Sequence, residues 1–99
     1  MRLQPEQVTF IRDCVRTLAG GTARVWLFGS RVNDQARGGD LDLLLDIDHP
    51  VAEPAQLAAR VAARVSRFMA GRKVDVIVKA PNLLDQPIHA AALSNGILL

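Results

Sequence analysis

The stretch from Val25 to Asp48, VWLFGSRVNDQARGGDLDLLLDID, decides how the rest of the chain folds. Val25-Trp26-Leu27-Phe28 is a short continuous apolar run closed by Gly29, the pattern of a strand buried in the middle of a sheet. Gly29 permits a sharp turn, and Ser30 suits the N-cap of a short helix. Asn33 to Gly39 is polar and ends in Gly38-Gly39, which predicts a loop. From Asp40 to Asp48 a second strand is expected. Leu41, Leu43 and Leu45 point to one face of it, and Asp40, Asp42, Leu44 and Asp46 to the other.

Helical periodicity appears on both sides of this stretch. Val8, Ile11, Val15 and Leu18 make one apolar stripe over Pro5 to Leu18, and Gly20-Gly21 stops it. Leu57, Val61, Val65 and Phe68 do the same over Pro54 to Met69, with Gly71 as its cap. Val74 to Val78 reads as a third strand. A last helix is expected over Leu84 to Ser94, stopped at Asn95-Gly96, and the tail Ile97-Leu98-Leu99 must pack somewhere. The order is α-β-α-β-α-β-α, an α/β (α+β) fold. A small mixed three-stranded sheet with about four helices follows, with room for an extra C-terminal strand.

At 99 residues the chain fits one domain, 1–99. A core that small invites help from a partner or a second copy. The net charge of +2 is mild, and no Lys/Arg run or aromatic stacking set marks a nucleic-acid face, so nucleic acid is not expected as a direct ligand. Cys14 is the one cysteine and sits in a helical pattern, where a small packing residue is expected; zinc and an internal disulfide are excluded. There is neither a signal peptide nor a membrane span in the pattern, so a cytoplasmic location is the expectation.

Asp40 and Asp42 are the sharpest chemical feature. Two carboxylates at i and i+2 project from one strand face about 7 Å apart and can converge on a cation. Like charges so close repel unless a cation or proton compensates, and hard oxygen ligands suit magnesium. Asp75 interrupts the aliphatic run Val74-Asp75-Val76-Ile77-Val78, where a carboxylate costs stability unless it is paired or ligates a metal. If its strand lies beside the second, three carboxylates gather, a set able to hold two metals roughly 3.5–4 Å apart. Gly29-Ser30 supplies free N–H groups at a helix start for phosphate, and Arg31 a charged contact. Each feature has a plain alternative. Asp40 and Asp42 fit a solvated strand face, Asp75 a core carboxylate bonded to Arg, and Asp46 and Asp48 solvated or capping positions. His49 and His89 read as structural. The combination, in this order, is what argues for a site.

Leu27-Phe28-Gly29-Ser30-Arg31, then Asp40-Leu41-Asp42-Leu43, then Val74-Asp75-Val76 together resemble the polymerase-β-like nucleotidyltransferases, and among them the minimal nucleotidyltransferase (MNT) proteins. The resemblance spans nearly the whole chain and implies the nucleotidyltransferase fold. It implies that Asp40 and Asp42 hold two magnesium ions, and that Asp75 holds the catalytic one and helps deprotonate the attacking hydroxyl. It implies that Gly29 and Ser30 bind the triphosphate. Many relatives carry Ser or Thr just before the first Asp, where this chain has Gly39, and the Arg31–Gly39 spacer is at the short end.

Minimal members look like partners of HEPN-domain proteins in toxin–antitoxin pairs, and some transfer AMP from ATP to a tyrosine of that partner. The chain has no tyrosine of its own. The leading expectation is therefore a magnesium-dependent protein adenylyltransferase, an antitoxin acting on a HEPN partner. A non-catalytic module that neutralises a toxin by binding it is the second reading, and an enzyme acting on a small molecule the third.

Overall fold

In the computed structural model, residues 3–29 and 40–99 are described. The expected Ser30 helix and the Asn33–Gly39 loop lie outside them. The elements run α1 (Pro5–Ala19), β1 (Arg24–Phe28), β2 (Leu41–Asp46), α2 (Pro54–Phe68), β3 (Val74–Lys79), α3 (Pro87–Asn95) and β4 (Ile97–Leu98). The sheet order is β3-β2-β1-β4. β1 runs antiparallel to both β2 and β4, while β2 and β3 are parallel. The sheet is mixed, as expected, and the apolar tail supplies its fourth strand.

The alternation in β2 sorts the molecule into two layers. Leu41, Leu43 and Leu45 are fully buried and join Val25 and Leu27 of β1, Ile11 and Val15 of α1, and Val61 and Val65 of α2 in one core. Burying a Leu or Val of this kind contributes about 1.5–3 kcal/mol. α1 and α2 therefore cover one face of the sheet, and Phe10 of α1 stacks on Phe68 of α2 with ring centroids 4.0 Å apart. Cys14 is buried within α1, the packing role expected of it, and burial pushes its thiol above the ordinary range. Trp26 and Leu44 are paired across β1 and β2 and point to the other face. There Leu44, His89 and Ala92 are buried, and α3 packs against β1.

Helix ends follow local chemistry. Pro opens α1, α2 and α3, where its fixed φ and missing N–H cost nothing. α1 stops at Gly20 as expected, and α2 ends at Phe68, with the Gly71 N–H reaching back to the Ser66 carbonyl at 2.8 Å. The last helix starts later than the sequence suggests. Leu84 is not helical and is 83% exposed, because Pro87 fixes the first turn and a reciprocal Gln86/His89 capping box closes it. Asp48 likewise falls beyond β2, where it accepts a hydrogen bond from the Thr22 hydroxyl at 2.9 Å.

Gly96 turns α3 directly into β4. A Cβ there would meet the Ala92 carbonyl oxygen and lie 2.9 Å from that of Leu27, so only glycine fits the corner. The Leu99 N–H then bonds to the Val25 carbonyl at 2.9 Å and fixes the tail on the sheet. No helix among the described residues is long and apolar enough to cross a membrane.

Leu43 has no exposed surface and sits on the central pair of strands. Leu43→Ala should lower stability by about 2–5 kcal/mol, read as a shift in the urea midpoint. A loss under half a kilocalorie would place the core elsewhere.

Candidate active site at the open end of the sheet

β1 ends where β2 and β3 begin, so three strand termini meet at one end of the sheet. In register, Phe28 lies opposite Asp42, and Asp42 lies opposite Asp75. Laterally paired residues of neighbouring strands share a face and are about 4.8 Å apart between strands. Asp42 and Asp75 are thus nearest neighbours, on the face that Leu41 and Leu43 do not occupy. Asp40 precedes β2 by one residue and adds a third negative charge close to Asp42.

Electrostatics marks the cluster. The Asp42 carboxyl is held above the usual carboxylate range, first by burial and then by the charges of Asp75 and Asp40, with Lys73 opposing them. Lys73 is a residue that the sequence reading passed over. Its ammonium is 4.0 Å from an Asp40 oxygen, and both side chains are largely exposed, so the pair itself contributes little. The signal available in the sequence was position alone, a cation at the mouth of β3 two residues before Asp75.

Gly29 presses on the same carboxylate. It has φ 76°, and a Cβ added to it would collide with the Asp42 Oδ2 atom. The end of β1 and the Asp42 side chain are therefore packed with no room for another atom between them. Ser30 and Arg31, the other expected phosphate contacts, lie outside the described residues.

The donor set fits magnesium bound together with a substrate. Magnesium dehydrates reluctantly and is usually held by one or two carboxylates plus phosphate oxygens and water, without a closed protein cage. Among the described residues no three His, Cys, Asp or Glu side chains are grouped so as to hold a metal ion by themselves, Asp40, Asp42 and Asp75 included. A half-buried carboxylate crowded by two others gains from any cation that joins them.

The remaining candidates separate cleanly. His49 lies at the far end of the sheet, its Nε2 3.0 Å from the Ala19 carbonyl, beside a cavity of about 200 Å³. The His89 Nδ1 accepts the Gln86 N–H at 3.2 Å, a capping role. Asp46 pairs in register with Arg24 and Lys79, away from the cluster.

A family model described as the nucleotidyltransferase domain matches residues 9–98. No curated protein matches the chain.

A carboxyl whose native pKa exceeds its unfolded value binds its proton more tightly when folded. Stability from such a group is full below the unfolded value and is lost as pH rises through the native one. The metal-free domain should therefore lose stability from Asp42 as pH climbs out of the acid range. Asp42→Asn should flatten that slope and be the more stable protein at neutral pH, by urea unfolding at several pH values. An unchanged slope would remove Asp42 as its source. Gly29→Ala should cost about 1–2 kcal/mol from its left-handed backbone alone, and displace the Asp42 carboxylate as well. Unfolding and magnesium-nucleotide titration of that variant would expose a neutral outcome directly.

Proposed function

Given that the chain belongs to the nucleotidyltransferase domain family, we propose that it transfers AMP from ATP to a hydroxyl of a partner protein, a HEPN-domain toxin that it silences as an antitoxin. The observation that carries the site is the register placing Asp75 beside Asp42, with Gly29 closed against Asp42. In this reading Asp40 and Asp42 would hold magnesium, and Asp75 would help hold the catalytic ion. When bound, the metal would supply charge neutralisation on the phosphates and would lower the pKa of the acceptor hydroxyl.

The chain's own residues orient the reaction. The backbone of Gly29 and Ser30 receives the triphosphate, since free backbone N–H groups favour phosphate oxygens. Arg31 adds a charged contact. The acceptor oxygen attacks the α-phosphorus as the bond from that phosphorus to the β-phosphate bridging oxygen breaks. Pyrophosphate leaves, and the hydroxyl proton passes to Asp75. Most of the acceleration then comes from alignment and from charge held in place, as for phosphoryl transfer generally.

In this reading the acceptor hydroxyl is presented by another protein, and since this chain has no tyrosine, a tyrosine acceptor lies on that partner.

Incubation with ATP and magnesium, with and without a candidate HEPN-domain partner, followed by intact mass measurement of both, tests the proposal. The expected result is one or more AMP units added to the partner by the wild type and none by Asp40→Asn or Asp42→Asn. Full transfer by a folded Asp42→Asn variant would sink the metal assignment. Tight inhibition of the partner with no mass change would favour a non-catalytic binding module instead.

A further inference from the structure

The two edges of the sheet are very different. β4 is two residues long, whereas β3 has six, VDVIVK, and has no strand on its outer side among the described residues. A long apolar edge without proline is a template for another strand.

The direction of its hydrogen-bonding groups follows from the bonds it already makes. The Lys73 and Lys79 carbonyls accept from the Leu41 and Ile47 N–H groups of the β2 chain, both at 2.9 Å. Alternation along the strand then turns the peptide groups of Asp75 and Ile77 toward β2 as well. Those of Val74, Val76 and Val78 face outward.

The outward edge lies in a groove of about 370 Å³. Ala55 and Ala58 of α2 form one wall, small enough to leave the strand open. Leu84 and Ile88 form part of the other. These two are among the few large apolar side chains left exposed, at 83% and 46%.

The charges along β3 choose the occupant. Residues 75–79 read Asp-Val-Ile-Val-Lys, symmetric about Ile77 with opposite charges at the ends. Lay a second copy antiparallel, with Ile77 facing Ile77. Val76 then meets Val78 of the partner subunit, both facing outward, so the pair exchanges main-chain hydrogen bonds. Asp75 meets Lys79 of the partner subunit in a non-hydrogen-bonded pair, the kind in which opposed Cα atoms are only about 4.5 Å apart. The two-fold axis makes this ion pair twice. Centring on Val76 instead sets Lys73 against Lys79, a like-charge contact. A strand from an unrelated protein would match this pattern only by chance, whereas a second copy matches it by symmetry.

We infer that β3 is the self-association edge of this protein, joining two copies antiparallel about Ile77 into one continuous eight-stranded sheet, with Asp75 opposite Lys79 of the partner subunit. The Leu84 and Ile88 side chains of each copy then cover the junction. Each copy also sets a cation beside the carboxylate cluster of the other.

A charge-reversal mixing experiment tests this, run without nucleotide or magnesium so that its result is independent of any transfer activity. Wild type should sediment as a dimer when concentrated and dissociate on dilution. Asp75→Lys and Lys79→Asp should each weaken self-association by roughly tenfold or more, because both cross-strand pairs become like-charged. An equimolar mixture of the two variants should restore a dimer containing one of each. Should either variant fold poorly, hydrogen exchange on the wild type gives a second readout. The Val76 and Val78 amides should be protected when concentrated and exchange quickly when dilute. A monomeric wild type, a dimer that survives both single reversals, or Val76 and Val78 amides that exchange fast at every concentration would overturn the proposal. A monomer that captures a strand of another protein counts against it equally.

Discussion

The repulsion between Asp42 and Asp75 is the constraint around which this small domain is arranged. Asp75 is exposed and Asp42 half-buried, so water screens part of this repulsion, yet the carboxylates stay side by side on adjacent strands. Here they cannot separate, because Leu41, Leu43 and Leu45 anchor the other face of the same strand in the core. Sliding β2 by one residue to part the carboxylates would turn those leucines into the other layer, and shifting by two would break its match with β3. The apolar face thus holds the polar face in a conformation that a cation or a proton relaxes.

This arrangement divides the labour between residues that act and residues that hold. Gly29 contributes no side chain, yet its lack of one lets β1 end against Asp42. Gly96 does the same at the other side of β1, where a corner without a Cβ brings the tail back to the Leu27 and Val25 carbonyls. β1 is therefore clamped on both flanks, and the strand terminus that adjoins the carboxylates has little freedom to move away from them.

Much of this was legible in the sequence because the deciding signals are local and periodic. Alternation in Asp40–Asp48 separated the leucine face from the carboxylate face, and the helical stripes in Pro5–Leu18 and Pro54–Met69 found their helices within a residue of the observed ends. What periodicity could not supply was lateral registry. That Asp75 stands opposite Asp42 depends on the crossover through α2 and appears only when β2 and β3 are paired. Lys73 was missed for the same reason, since its proximity to Asp40 exists only across the strands. The start of α3 was misplaced because Leu84 continues an apolar pattern that Pro87 and the Gln86/His89 capping box override. The tail's role was left open, since two strand residues carry no period of their own.

Trp26, the only tryptophan, gives this architecture an unintended optical property. It sits in the central strand with Leu44 on one side and Leu98 on the other. Its indole is therefore flanked by the strand that carries the carboxylates and by the one formed from the tail. With no tyrosine to excite alongside it, near-ultraviolet emission from the domain comes from this one ring. Peeling of the tail from the sheet would expose more of this half-buried ring and move its emission to longer wavelength. The chain thus carries its own fluorescent gauge of whether its sheet is closed.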